Sequence, residues 1–136
     1  MTFRTKLLNM FVQNTGKVWF TSSEVEAMAR NDDNLCSLKG RPDAMVAVDL
    51  SVCDDFSAVS YTVYMPDIRN FHVHTDYYFP EGALKEHPNR ELYRKWADAG
   101  YLRLLPGNVI DYRLIADDIN RRNREQLCIL AIGYDP

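Results

Sequence analysis

Two apolar runs in this sequence each lead into an aspartate: Ala44-Met45-Val46-Ala47-Val48-Asp49 and Leu130-Ala131-Ile132-Gly133-Tyr134-Asp135. Short, nearly unbroken apolar runs read as strands inside a sheet, covered on both faces. In open α/β sheets, ligands gather beyond the carboxyl ends of parallel strands, and neighbouring strand ends lie about 5 Å apart. Two carboxylates that close repel each other and raise one pKa unless a cation sits between them. Their hard oxygens select Mg²⁺ or Mn²⁺ over zinc. Two such ions about 3.5–4 Å apart activate a water and stabilise the leaving oxygen in phosphodiester hydrolysis. A single strand-end aspartate is ordinarily a turn former. Two at matching ends predict a metal site on Asp49 and Asp135. Of the acids in the next turn, Asp54 reads as an Asx turn and Asp55 as an accessory carboxylate near the same ions.

Other chemistry-bearing residues fit quieter roles. His72 and His74 share a strand face but lack a third ligand, so that face is expected to be solvated. His87 precedes Pro88 in a loop. Arg121, Arg122 and Arg124 end a helix, where cations satisfy terminal carbonyls and the dipole; phosphate contact near the cleft is the alternative. Tyr93 and Trp96 are three apart on a helix and are expected to pack on the sheet. Asn14-Thr15-Gly16-Lys17-Val18 lacks the first glycine and the Ser/Thr of a phosphate loop.

The elements that must carry these residues follow from periodicity. Residues 1–43 read as a linker-like lead-in with one short helix, capped by Thr21 or Ser22 and bearing Glu24 and Glu26 in its first turn. Strands follow at 44–50, 57–65 and 70–79. In the third, Phe71, Val73, Tyr77 and Phe79 share one face, and His72, His74 and Asp76 the other. Helix 91–99 stops at Gly100. A short apolar element at 101–105 precedes Pro106-Gly107. An amphipathic helix spans 111–124 with Leu114, Ile115, Asp118 and Ile119 along one side, and a buried strand closes at 127–134. The order predicts an α/β fold whose mixed sheet has a three-strand antiparallel meander and, after a crossover helix, a last strand parallel to the first.

Composition bounds the rest. The 136 residues carry 16 Lys+Arg against 19 Asp+Glu, a net charge of −3, so contact with nucleic acid needs a local basic face or a metal. Hydrophobic residues at 46% and charged residues at 26% exclude a disordered tail or a disulfide scaffold. Cys36, Cys53 and Cys128 form no CxxC pair and suit a reducing compartment. Neither a signal peptide nor a bilayer-length apolar run is present, which reads as soluble and intracellular.

Several stretches resemble a known family, in its order. Val48-Asp49-Leu50-Ser51 through Asp55-Phe56-Ser57-Ala58 is similar to the opening strand of the nuclease domain in tailed-phage terminase large subunits. Phe79-Pro80-Glu81, Tyr93-Arg94-Lys95-Trp96-Ala97-Asp98-Ala99-Gly100-Tyr101-Leu102, Pro106-Gly107-Asn108-Val109-Ile110-Asp111-Tyr112 and Ile132-Gly133-Tyr134-Asp135-Pro136 are similar to further motifs. Phe3-Arg4-Thr5-Lys6-Leu7-Leu8-Asn9 resembles the entry from the ATPase domain. The resemblance implies a ribonuclease H-like fold over 44–136 and metal-dependent cutting of concatemeric viral DNA during packaging. It assigns catalytic roles to Asp49, Asp135 and Asp55, with Mg²⁺ or Mn²⁺. It implies double-stranded viral DNA, the ATPase domain, the small terminase subunit and the portal as partners, in the host cytoplasm. The family's third acid lies further downstream. The chain therefore reads as the N-terminal part of the nuclease domain, incomplete at its C-terminus and weak or inactive alone. An inactive prophage remnant or docking module, or another ribonuclease H-like nuclease or resolvase, remain alternatives.

Overall fold

The computed structural model describes residues 20–28, 38, 40–51, 55–66 and 69–134. The chain divides into two units, Met1–Asp32 and Asp33–Pro136. In the first, helix α1 (Ser22–Met28) starts from a reciprocal cap. The Glu24 amide donates to Thr21 Oγ1 at 3.3 Å, and the Thr21 amide donates to Glu24 Oε2 at 2.7 Å. Thr21 is thus the cap. Its bonds, the backbone one first, hold the Glu24 carboxyl below its ordinary pKa.

The second unit is a five-stranded sheet in the order β4-β3-β2-β1-β5. Strands β1 (Asp43–Asp49), β2 (Ser57–Met65) and β3 (Asn70–Pro80) form the expected antiparallel meander. Two short-range helices, α2 (Glu81–Leu84) and α3 (Arg90–Asp98), lead to β4 (Arg103–Leu105), parallel to β3. The crossover helix α4 (Tyr112–Glu125) then delivers β5 (Cys128–Tyr134), parallel to β1. Helix α3 ends in a Schellman turn: Gly100, at φ +80°, donates to Ala97 O, and Tyr101 donates to Trp96 O.

Alternation sorts the side chains. Ala44 and Val46 of β1, Val59, Tyr61 and Val63 of β2, and Tyr78 of β3 form the core with Ile115 of α4 and Leu127. The register aligns His72, His74, Asp76 and Tyr78 with Val63, Tyr61, Val59 and Ser57. The histidine face is therefore the core side, not the solvated side expected. The aromatic set is instead turned outward: Phe71, Val73 and Tyr77 are exposed, and only Phe79 is buried. The reason lies across the gap. The sheet-facing stripe of α4 carries Asp118 and Arg122 beside Ile115, so it complements a face bearing Asp76 rather than rings.

The second face is covered at one end only. There Phe79, Leu84, Tyr93 and Leu102 form a smaller core, with Phe56 packed against it. Elsewhere among the described residues it is open. Met45, Ala47 and Asp49 of β1 are exposed, so β1 is buried on one face rather than two. Strand β5 also departs from expectation. It is an edge strand, and Leu130, Ile132 and Tyr134 are exposed because no described element packs over them.

Candidate functional site

Asp49 is the last residue of β1 and lies on the open face. Its carboxylate has no hydrogen bond or ion pair among the described residues. The loop that follows is tied at its base. The Ser51 amide donates to Ser57 Oγ at 3.0 Å, and Ser51 Oγ donates to Asp55 O at 2.7 Å. A third tie comes from α4, whose Tyr112 hydroxyl donates to Ser51 O at 2.8 Å. Tyr112 stands in the first turn of α4, after the Asp111 cap whose carboxylate accepts the Arg113 amide at 3.0 Å. The chain leaving Asp49 is thus fastened to the helix that crosses to β5.

Strand β5 brings the second acid's neighbourhood alongside. Val48 pairs with Tyr134 in the parallel ladder, so the residues just before Asp49 and Asp135 are register partners. Asp135 itself lies outside the described residues, as does Asp54. Asp55 is exposed, and its Oδ1 accepts the Phe56 amide at 2.8 Å. This bond occupies one oxygen of the expected accessory carboxylate with a local turn.

On the α4 side, charges are gathered and buried. Asp76 is 7% exposed and Arg122 6% exposed. Their ion pair spans 2.7 Å, while Arg103 reaches Asp76 at 3.1 Å and His74 Nε2 donates to it at 3.1 Å. Asp118 is held by Arg103 and Arg121 and accepts the Tyr78 hydroxyl at 2.7 Å. Burial alone would raise the pKa of Asp76, but the His74 bond and the charges of Arg122 and Arg103 outweigh it and hold the carboxyl below its ordinary value. Asp118 is likewise lowered against its burial, by bonds from Tyr78 and Arg121 and by the nearby guanidinium charges. Burial, then the bond to Asp118, pushes the Tyr78 phenol up.

Comparison with known proteins decides the family. The family model described as terminase large subunit, endonuclease domain, matches residues 1–136. This chain belongs to that family. The crystal structure of the HK97 bacteriophage large terminase is similar, with a TM-score of 0.55 at 23% identity over 74% of this chain. The chain spans 22% of the length of that large terminase. No curated protein sequence matches it. The mixed sheet is that of a terminase nuclease, ribonuclease H-like in fold.

In this terminase nuclease domain the three arginines lie at the far end of α4 from its Tyr112 start. Tyr112 anchors the start of α4 beside Ser51, and at ~1.5 Å per residue Arg121 and Arg124 lie roughly 14 and 18 Å further along the axis. They sit toward the start of β1, where Cys128 donates to Pro42 O. Arg122 is in addition buried against Asp76, with its guanidinium over the Tyr61 ring at 5.0 Å. Arg122, read in the sequence as a helix-end cation with phosphate contact as the alternative, is thus engaged in packing the helix on the sheet. Among the described residues, none of these three side chains meets the helix's last carbonyls. Arg41 does that, donating to Leu127 O at 3.1 Å and to Asn123 O. Tyr112, Arg41 and the ion network were missed in sequence. Tyr112 alone had a signal, the Pro106–Tyr112 motif that carries it.

The donor chemistry at the Asp49 end fits a hard divalent cation in kind. A carboxylate that is exposed and unpaired among the described residues is the kind of hard oxygen donor that such cations take. Among the described residues no group of three or more His, Cys, Asp or Glu gathers to hold a metal. Likewise none of the helices described is long and apolar enough to cross a membrane.

Proposed function

We propose that this chain is the part of a terminase large subunit nuclease that binds Mg²⁺ or Mn²⁺ through Asp49 and Asp135 and cuts viral DNA concatemers during packaging. The observation that carries the reading is the parallel pairing of Val48 with Tyr134. One further step along both strands would bring the two acids to neighbouring strand ends, about 5 Å apart. The cation, when bound, supplies an activated water and charge stabilisation for the departing oxygen. Asp49 and Asp135 hold it, and without it their mutual repulsion is uncompensated. Tyr112 and Ser51 fix the loop beyond Asp49 so that the carboxylate keeps its aim. Asp55 is left a supporting part, since one of its oxygens already accepts the Phe56 amide. By membership of the family, the proposal extends to double-stranded viral DNA, the motor domain, the small subunit and the portal as partners, in the host cytoplasm.

The test is nicking of supercoiled plasmid with Mn²⁺. Slow, Mn²⁺-dependent nicking is expected, and Asp49→Asn should abolish it. A second reading is favoured by the lack of a three-ligand group among the described residues. In that reading the domain keeps the fold and docks without cutting. Wild-type protein that neither binds Mn²⁺ nor nicks would establish it.

A further inference from the structure

Phe56, Tyr77, Trp96, Tyr101 and Leu102 line an open cavity of about 310 Å³, near the lower end of the ~300–1,000 Å³ typical of small-ligand sites. Four of the five linings are aromatic and none is charged. The floor is rigid: the Phe56 ring centroid lies 4.8 Å from Tyr93, 5.7 Å from Phe79 and 6.0 Å from Trp96. The rim is not covered. Tyr101 is 72% exposed, and Tyr77 and Trp96 also reach solvent.

Its place in the sheet gives the cavity meaning. Asp49 pairs with Ala58, and Ala58 pairs with Tyr77. The three residues form one row across β1, β2 and β3, and the side chains of Asp49 and Tyr77 leave the same, open face. Two strand spacings separate them, about 10 Å. That is about three base steps of a duplex at ~3.4 Å per step. With no cation in its lining, the slot offers a phosphate no opposite charge. It does have ring faces on which a base can stack.

We propose that this cavity receives one nucleobase, unstacked from the DNA strand, within about three nucleotides of the phosphate presented to Asp49. The inference rests on the nuclease reading and adds to it a contact with bases. It implies a preference for DNA that is frayed, mismatched or single-stranded near the cut, because such bases leave the stack most easily.

The test compares two fluorescein-labelled single-stranded 12-mers in EDTA, one with normal bases and one with a central run of abasic sites. Wild-type protein is expected to bind the normal strand roughly 5- to 100-fold more tightly at equal salt. Tyr101→Ala, at an exposed position, and Trp96→Ala should each shrink that preference while leaving affinity for the abasic strand unchanged. Asp49→Asn should leave the preference intact. Equal affinity for the two strands, failure to bind either, or full preference in Tyr101→Ala overturns the proposal. Base preference without Mn²⁺-dependent nicking keeps the cavity and removes the nuclease reading. Nicking with base-insensitive binding does the reverse. If an apolar peptide rather than a base is the occupant, the two strands bind equally and the proposal fails.

Discussion

On the α4 side of the sheet, Asp76 and Asp118 are withdrawn from solvent and answered by Arg103, Arg121, Arg122 and Tyr78. On the other side Asp49 stands exposed, with no partner among the described residues. Both faces belong to one sheet, and their acids are at most a few strands apart. The difference is what each carboxylate has been given. A buried acid ringed by guanidinium groups has its charge neutralised within the fold, and its role is to hold helix to sheet. An exposed acid at a strand end leaves its charge available to a ligand.

This contrast predicts opposite outcomes for similar substitutions. The largest effect is expected from Arg122→Ala, which leaves Asp76 buried with weaker compensation. A loss of about 3–5 kcal/mol in urea-induced unfolding is expected, and a loss below about 1 kcal/mol would mean the network behaves as a surface cluster. The same network sets an acid limit. Asp76 and Asp118 have folded-state pKa values below their unfolded ones. Their contribution is therefore full above about pH 4, the unfolded value, and is lost as pH falls through the lower folded values. Stability measured from pH 7 downward should hold to about pH 4 and then drop. A drop already complete at pH 5 would contradict the lowered values.

Smaller effects sharpen the comparison. Tyr78→Phe removes one donor to the half-buried Asp118, which keeps Arg103 and Arg121, and should cost about 1 kcal/mol. Tyr61→Phe should do the reverse. Its hydroxyl is buried without a hydrogen-bond partner among the described residues, while the ring under Arg122 is retained. A gain of about 1 kcal/mol is expected in thermal unfolding, and a loss would reveal a bond to the hydroxyl. Asp49→Asn comes last, changing stability by no more than about 0.5 kcal/mol.

The backbone was legible because its signals are local. A nearly unbroken apolar run marked β1, a stretch rich in Val, Tyr and Thr marked β2, alternation marked β3, Gly100 marked the end of α3, and a 3.6-residue period marked α4. Chain order then gave the antiparallel meander and the parallel β1–β5 pair. Which face of β3 is buried was not legible. Phe71, Val73, Tyr77 and Phe79 carry the larger apolar area, and area alone would bury them. The decision belongs to α4, whose Asp118 and Arg122 stand where a helix over an aromatic face would carry apolar residues. Burial of Arg122 was hidden for the same reason, since its partner Asp76 lies 46 residues away in sequence. Coverage of β1 and β5 was over-read because apolar runs report tolerance of burial, not the presence of a covering layer. The prominence of Asp49 was visible because strand ends are fixed by sequence, whereas the Tyr112 tie depends on how α4 docks.

The central claim is that Asp49 and Asp135 share a divalent cation. Calorimetric titration of Mn²⁺ into the wild-type chain and into Asp49→Asn and Asp135→Asn variants tests it most directly. Binding heat in the wild type that disappears in both variants is the predicted result. Asp49→Asn protein that binds Mn²⁺ with the wild-type heat and affinity would contradict the claim.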